Sequence, residues 1–542
     1  VSDNQMRDAW GDKLLEVSKA KVDVTKGLRS FYKGWKGDDL DAKSDPVEAL
    51  KAAFDATRMD PVIAHTNLGI EHDKVSPEVL VAASKKLIDV AAGKTRPDPI
   101  DSLRYKELWT AADHFSDRIA KSATEIHTRI QKALEKGKLV DRLRAGDHDA
   151  VREVVMPDLF QRPMASVFTT SLAANAKQTN PLSMMADRSI VTIMGPGGIQ
   201  NEHQITSSNT AVDPSHIGYV DPVFTPESNA GVSMHLTSGT RIVDRKPVTR
   251  LFNVKTGKIE EVDAARAAAS NVVLPDQVKW SNGVPRPLKD KVRMADRHGD
   301  MRDDLGWNKA DYVILNPAQV FATESNLVPF MASDSPHRST MSARHMAQAI
   351  SVVGREAPLV QTEAGQGHTF EQIIGSTFLA HKAPVDGVVK AVRPDGIVLQ
   401  DARGKTHTVG LYNHYPLNHD KAMLHSTPLV KAGDKVKAGT LLADNNFSRD
   451  GKLAVGTNLR VAYIADGFNH EDGITISESA QKKLSSEHLY KPSMYVSDNH
   501  IIGKKEFLFD KPAVYHPDQL KNIGDDGVIK PGSRVKPGDP LI

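Results

Sequence analysis

Apolar positions recur at helical spacing only in the first third of this chain. Ser76-Pro77-Glu78 reads as an N-cap with proline at the first helical position. Leu80, Leu87 and Val90 continue that helix, and Gly93 stops it. Leu108, Ala112, Phe115, Ile119, Ile126, Ile130 and Leu134 share one face and predict a single long amphipathic helix ending near Gly137. Plain helical packing accounts for both patterns. Residues 1–40 are charged and weakly patterned and are left unassigned, so the helical region is drawn over 41–165.

The period changes after Pro163. Residues 166–235 are rich in loops, and Asn180 to Gly231 is the densest part: a proline-ended polar loop, a β-rich run, the turn Gly195-Pro196-Gly197-Gly198 and the loop Thr225-Pro226-Glu227. No apolar periodicity explains those glycines and prolines, so backbone shape is what the segment specifies. Residues 236–325 alternate short β-like runs with turns, among them Lys255-Thr256-Gly257-Lys258, and carry the basic cluster Lys279, Arg286, Lys289, Lys291, Arg293 and Arg297. Such a cluster fits a solvated face or a nucleic-acid contact. Short strands dominate 326–490. Val430–Leu442 is echoed by Ile529–Leu541, inside a last segment at 491–542. Each copy predicts a turn at its first glycine, a short strand and a second turn, which suits the corners of small β-barrels.

Composition narrows the classes. A chain of 542 residues is too long for one core, and about three to five domains is the prior. Hydrophobic content of 39% with 25% charged residues describes an ordinary globular protein, and no apolar run is long enough to span a membrane. The absence of cysteine excludes disulfides and Cys-ligated zinc, and a reducing compartment fits. A formal net charge of +2 leaves nucleic-acid binding open, because basic and acidic faces cancel in the sum. The chain opens on Val1 and stops inside a strand-turn-strand pattern, so both ends are expected to be cuts in a larger design.

Four constellations carry candidate chemistry. The glycine turn at 195–198 lacks the Gly-Lys-Ser/Thr ending of a phosphate-binding loop. Taken with Asn180-Pro181 before it and Thr225-Pro226-Glu227 behind it, its order and spacing resemble the fork region of the β subunit of multi-subunit RNA polymerases. That resemblance implies that Asn180, Pro181, Gly195, Pro196, Gly197 and Gly198 lie beside the RNA–DNA hybrid, and that Glu227 and Asn229 lie near the incoming nucleotide. The segment Asn326–Met331 through His337-Arg338 to Gln348 is similar to the β-subunit stretch in which an arginine contacts the nucleotide's phosphates. Arg338 occupies that place and Met341 a neighbouring one. A guanidinium suits the task, since its planar fork stays charged and grips two oxygens. The family's Gly-Ala-Asn-Met is here Ser342-Ala343-Arg344-His345.

The third constellation is Asn469-His470-Glu471-Asp472, similar to the family's Asn-aromatic-Glu-Asp motif with His470 in the aromatic's place. The resemblance implies an indirect approach of Glu471 and Asp472 to a second Mg²⁺, a hard cation that tends to keep its waters. The fourth is the set His407, His414, His419 and His425, whose spacing fits no zinc pattern.

The resemblance runs from about residue 45 to the end. It implies an α+β, multi-domain polymerase β-type core with a helical N-terminal part, a loop-rich fork and a β-barrel-rich C-terminal half contributing part of a double-psi β-barrel. The domains expected on it are a lobe-proximal region (41–165), the fork (166–235), an external β-rich domain (236–325), a hybrid-binding and active-centre domain (326–490) and the start of the flap base (491–542). The missing family segments resemble the split β chains of jumbo-phage polymerases, with the cytoplasm of an infected bacterium or the virion as the expected location. As the resemblance implies it, the chain has no metal of its own and no zinc. Mg²⁺ is held mainly by a β′-type partner, since no Asp-Phe-Asp-Gly-Asp occurs here. Other polymerase subunits, a sigma-like or phage-specific factor, template DNA, RNA and nucleoside triphosphates are the expected partners. The fork positions aligned with the rifampicin pocket hold Lys177, Asp187, Ile190 and Thr192, and drug insensitivity is expected. Two alternatives stand beside this: a non-catalytic polymerase-like scaffold, and a barrel carrier of the lipoyl or biotinyl kind, whose turns the 430–442 repeat resembles.

Overall fold

The structure is a computed structural model that describes residues 2–19, 23–37, 39–99, 101–135, 138–154, 158–170, 173–195, 198–225, 231–365, 367–465, 467–491, 503–510 and 514–542. The chain divides into two compact units, residues 1–488 and 489–542. Helices make up 36% and strands 20%, largely segregated along the chain, which is an α+β composition.

The first helices correct the sequence reading. Residues 1–40, left unassigned from the sequence, contain helices Asp3–Trp10, Asp12–Ser18 and Val24–Lys36. Ser2 and Gln5 close a reciprocal cap on the first. Trp10 donates its indole N–H to Ser84 Oγ at 2.7 Å, and Trp35 meets Phe54 edge-on with ring centroids 5.4 Å apart. Few large side chains, spread over three short helices, do this docking, so no window of sequence showed a clear stripe.

Helix Pro77–Ala91 forms as expected, with Ser76 Oγ accepting from Val79 N. Its inner face differs: Val79 is buried whereas Leu87 is 71% exposed. The single long helix expected after Leu108 is two, Ala111–Lys121 and Ala123–Leu134, broken at Ser122, whose N–H donates to both Arg118 and Ile119 carbonyls. Leu108 precedes both and packs on the core of the main sheet. The expected stop at Gly137 lies outside the described residues.

That sheet has seven strands. Lys246–Asn253 is its long central member, paired antiparallel with Lys258–Asp263 through the expected Lys-Thr-Gly-Lys turn. Gly257 sits at φ 68°, a conformation that favours glycine. Tyr312–Ile314 lies along the same central strand and pairs in parallel with Val272–Val273. Leu251, Val262 and Ile314, each at most 1% exposed, pack with Leu103 and Tyr219 below.

Farther on, the strands form small sheets. One is four-stranded, in the order Thr406–Gly410, Gly396–Gln400, Gly387–Arg393, Lys435–Val436. A second is three-stranded, in the order His381–Lys382, Leu441–Asn445, Ser426–Pro428. Both copies of the repeat make their two turns: Asp434 and Thr440 donate to the carbonyls three residues back, and so do Ser533 and Asp539. Gly433, Gly439, Gly532 and Gly538 all have φ between 82° and 96°. Only the first copy has the expected strand; the second keeps its turns without one.

Candidate active centre and nucleic-acid interface

Helix Pro181–Ser189, the fork helix, begins at Asn180. Its Oδ1 accepts from Ser183 N at 3.0 Å, closing a capping box. The same side chain reaches across to helix Pro336–Gln348, the platform helix, and donates through Nδ2 to the carbonyls of Met346 (2.9 Å) and Ala349 (2.7 Å). Both carbonyls lie in the helix's last turn, where the Met346 oxygen also accepts from Ala349 N at 3.2 Å. One asparagine therefore satisfies the start of one helix and the end of another. Asn180 is 0% exposed and Pro181 is buried with it. Neither side chain presents a surface in this structure; they fix the fork to the platform. Leu182 completes the joint, packing with Leu327, Ile374, Phe447 and Leu453.

The platform helix carries Arg338. Ser335 caps the helix, its Oγ accepting from Arg338 N at 3.4 Å, and no acidic residue stands in the first turn. Arg338 is exposed, and its guanidinium contacts Met341 Sδ at 3.7 Å. Among the described residues no carboxylate pairs with it. A cation at the positive end of a helix is electrostatically unfavourable unless an anion is added, so the arrangement suits a phosphate.

The loop behind the glycine turn is pinned at both ends by residues that sequence reading passed over. Asp221, 0% exposed, accepts four hydrogen bonds: Val223 N (2.6 Å), Phe224 N (3.2 Å), Ala322 N (2.7 Å) and Ser325 Oγ (2.6 Å). The Asp-Pro dipeptide at 221–222 signals such a turn, and could have found it. Burial pushes the Asp221 carboxyl up from its ordinary value, against these bonds. Glu324, on the short helix Thr323–Asn326, is 2% exposed; burial, with the Asp221 charge adding, pushes its carboxyl up to about 7. Arg344, the residue departing from the family pattern, donates to the carbonyl of Thr225. Nearby, His235 stacks on Phe224 at 4.2 Å and bonds Ser189 Oγ at 3.0 Å; burial brings its pKa down to about 4, so it is neutral at pH 7.

Glu227, Asn229, Pro196 and Gly197 lie outside the described residues. The remaining glycines of the turn behave as the sequence suggested. Gly195 has φ 124° and donates to Ile199 O at 2.8 Å, while a Cβ on Gly198 would collide with Ile193 O. Gly231, at the far end of the loop, has φ 76°, and a Cβ there would come within 2.6 Å of Thr210 Cα.

Glu471 and Asp472 are exposed in a turn, with Glu471 in the left-handed region at φ 55°. The segment is tied back through Glu356, whose carboxylate accepts from Asn458 N and Nδ2 (3.1 Å each) and pairs with Lys483 at 2.9 Å. The Lys483 contact, then Asn458, holds the Glu356 carboxyl down to about 2. Among the described residues no three His, Asp or Glu side chains gather to hold a metal, so Glu471 and Asp472 do not by themselves make a Mg²⁺ site. The four histidines go to separate partners: His407 to Asp401 (3.0 Å), His419 to Asp420 (2.7 Å), and His414 stacked on His425 (4.0 Å). Of the basic cluster, Arg293 pairs with Asp303 and Arg297 with Asp311, and Lys279 faces Arg286 across a hairpin.

Two stretches match polymerase families. Residues 174–242 match RNA polymerase Rpb2, domain 3, and residues 382–542 match RNA polymerase Rpb2, domain 6. The first covers the fork; the second covers the small sheets, Glu471 and Asp472. Arg338 falls between them. The chain is also similar to proteins named DNA-directed RNA polymerase subunit beta. It is 28% identical to that of Clavibacter michiganensis subsp. michiganensis over 98% of this chain and 46% of the relative. It is 27% identical to that of Syntrophomonas wolfei over 95% and 47%, and 28% identical to that of Prochlorococcus marinus strain AS9601 over 79% and 40%. A segment matching Rpb2 domain 3 and a C-terminal stretch matching Rpb2 domain 6 in one α+β chain support an RNA polymerase β-type subunit. It spans less than half the length of these relatives.

Proposed function

We propose that this chain is a portion of a split β subunit of a multi-subunit, DNA-dependent RNA polymerase, forming the fork and the triphosphate-facing wall of the active centre. The observation that carries the reading is Arg338: an exposed guanidinium at the positive end of a helix braced by Asn180, without a carboxylate partner among the described residues. In template-directed synthesis the RNA 3′-oxygen bonds to the α-phosphorus of the nucleoside triphosphate and pyrophosphate leaves. Arg338 would grip phosphate oxygens in that state, with Met341 beside it; Glu227 and Asn229 would line the nucleotide site from the fork loop. The 382–490 sheets would contribute part of a double-psi β-barrel. Chains of the β′ type would bring the metal-holding aspartates, and the remaining β segments other groups. A split of this kind resembles the jumbo-phage enzymes, and the host cytoplasm or the virion is the corresponding location.

Affinity purification of the tagged chain from its source, with peptide identification of what accompanies it, tests the reading. A β′-like chain containing Asp-Phe-Asp-Gly-Asp is expected, and the isolated chain is expected to make no RNA. Absence of any polymerase subunit, or RNA synthesis by the chain alone, overturns it. The carrier alternative finds no support in the hairpin after Leu442. Its tip is Asp450-Gly451, where a carrier presents a modified lysine.

A further inference from the structure

A cavity of about 660 Å³ is lined by neither the fork helix nor the platform helix. It opens between the 96–105 segment and the seven-stranded sheet. Its position is fixed from both sides: Leu103 N donates to Ser215 Oγ at 2.9 Å, and His216 Nε2 bonds Asp101 O at 2.9 Å. The floor is apolar, supplied by Ile217, Val272 and Leu274. The wall is rich in charge, with four arginines and three aspartates.

Most of those charges are already matched. Asp98 pairs with Lys86 at 2.6 Å, and Asp296 Oδ1 accepts the backbone N–H groups of His298 and Asp300 at 2.9 Å each. Arg297 pairs with Asp311 at 3.5 Å and Arg302 with Asp304 at 2.8 Å. Two guanidiniums remain, Arg96 and Arg104, with no carboxylate partner among the described residues, against one unmatched lining carboxylate, Asp300. Arg104 makes a 3.4 Å bond to the Arg297 carbonyl, and its Nε is buried without a hydrogen-bond partner. A buried donor of a charged group left unmade is costly, and its natural complement is an acceptor with negative charge.

We propose that this cavity binds a phosphate-bearing ligand of nucleotide size, its phosphate held by Arg104 and Arg96 and its apolar body laid on the Ile217–Leu274 floor. The volume falls in the range of small-ligand sites, ~300–1,000 Å³. The proposal does not rest on the polymerase reading, since it uses neither the fork helix, the Thr225 loop nor the platform helix.

Calorimetric titration of the full chain with adenosine 5′-monophosphate tests it, with adenosine and a five-residue oligothymidylate as further arms. Saturable binding of the monophosphate but not of adenosine is expected. Arg104→Gln should raise Kd about tenfold or more, as loss of a charged hydrogen-bonded contact requires. Arg96→Gln, at an exposed position, gives the same readout without disturbing packing. Competition by the oligothymidylate makes a strand phosphate the natural source, and its failure makes a free nucleotide the source. No saturable phosphate binding, or binding that both arginine variants leave unchanged, overturns the assignment.

Discussion

Glu324 offers the sharpest test of the platform. Its carboxyl is buried beside Asp221, and its folded pKa stands near 7 rather than 4.5. Ionising it in the folded chain therefore costs about 3 kcal/mol more than in the unfolded chain. The sign follows from proton linkage. Below pH 4.5 both states hold the proton and nothing is lost. Between 4.5 and 7 the unfolded chain releases its proton first, so stability falls as pH rises; above 7 the full cost is present. Asp221, also raised by burial, acts in the same direction from a lower starting point. The chain has several cores, so a global melt would blur the effect; local opening is the quantity to measure. The amides of Val223, Phe224 and Ala322 all donate to Asp221 and report it directly. Their hydrogen-exchange protection, corrected for intrinsic rates, should fall up to about tenfold per pH unit across this window. Glu324→Gln should flatten that slope and leave the chain more protected than wild type at pH 8. Equal slopes in the two proteins, or protection that rises with pH, would refute the reasoning.

Four further outcomes follow from the same structure. In a reconstituted polymerase, Arg338→Ala should lower kcat/KM by about 10- to 100-fold, the worth of one charged phosphate contact; unchanged steady-state kinetics would remove its assignment. Asn180→Ala deletes a helix cap and leaves the part-buried Ala349 carbonyl without this donor, so roughly 2–3 kcal/mol should be lost locally, read as faster exchange at the end of the platform helix. Gly231→Ala places a Cβ against the Thr210 backbone at positive φ, and should destabilise the loop by more than about 1 kcal/mol, read as new protease cleavage between residues 206 and 240. Transcription by the assembled enzyme should resist rifampicin at doses that stop bacterial polymerases, and inhibition there would contradict the altered positions Lys177, Asp187, Ile190 and Thr192.

The sequence by itself determined whatever depends on neighbours in the chain. Ser76 before Pro77 caps its helix as expected, because a cap needs only three residues, whereas the stretch opening at Asn180-Pro181, expected as a polar loop, is a capped helix. The four glycines of the repeat make their turns for the same local reason. The order of fork motifs also pointed to the β-subunit family. The sequence did not tell one long helix from two, since apolar spacing continues across Ser122. It left residues 1–40 blank, because Trp10 and Trp35 find their partners far along the chain. It read Asn180 as part of a nucleic-acid wall, whereas tertiary structure buries it against carbonyls some 170 residues later. Asp221 carries only a turn signal in the sequence, and only folding brings it, Glu324 and Arg344 around the Thr225 loop. Local hydrogen bonds and turn geometry are written in consecutive residues; burial, and the charge shifts that burial causes, exist only once distant segments have packed.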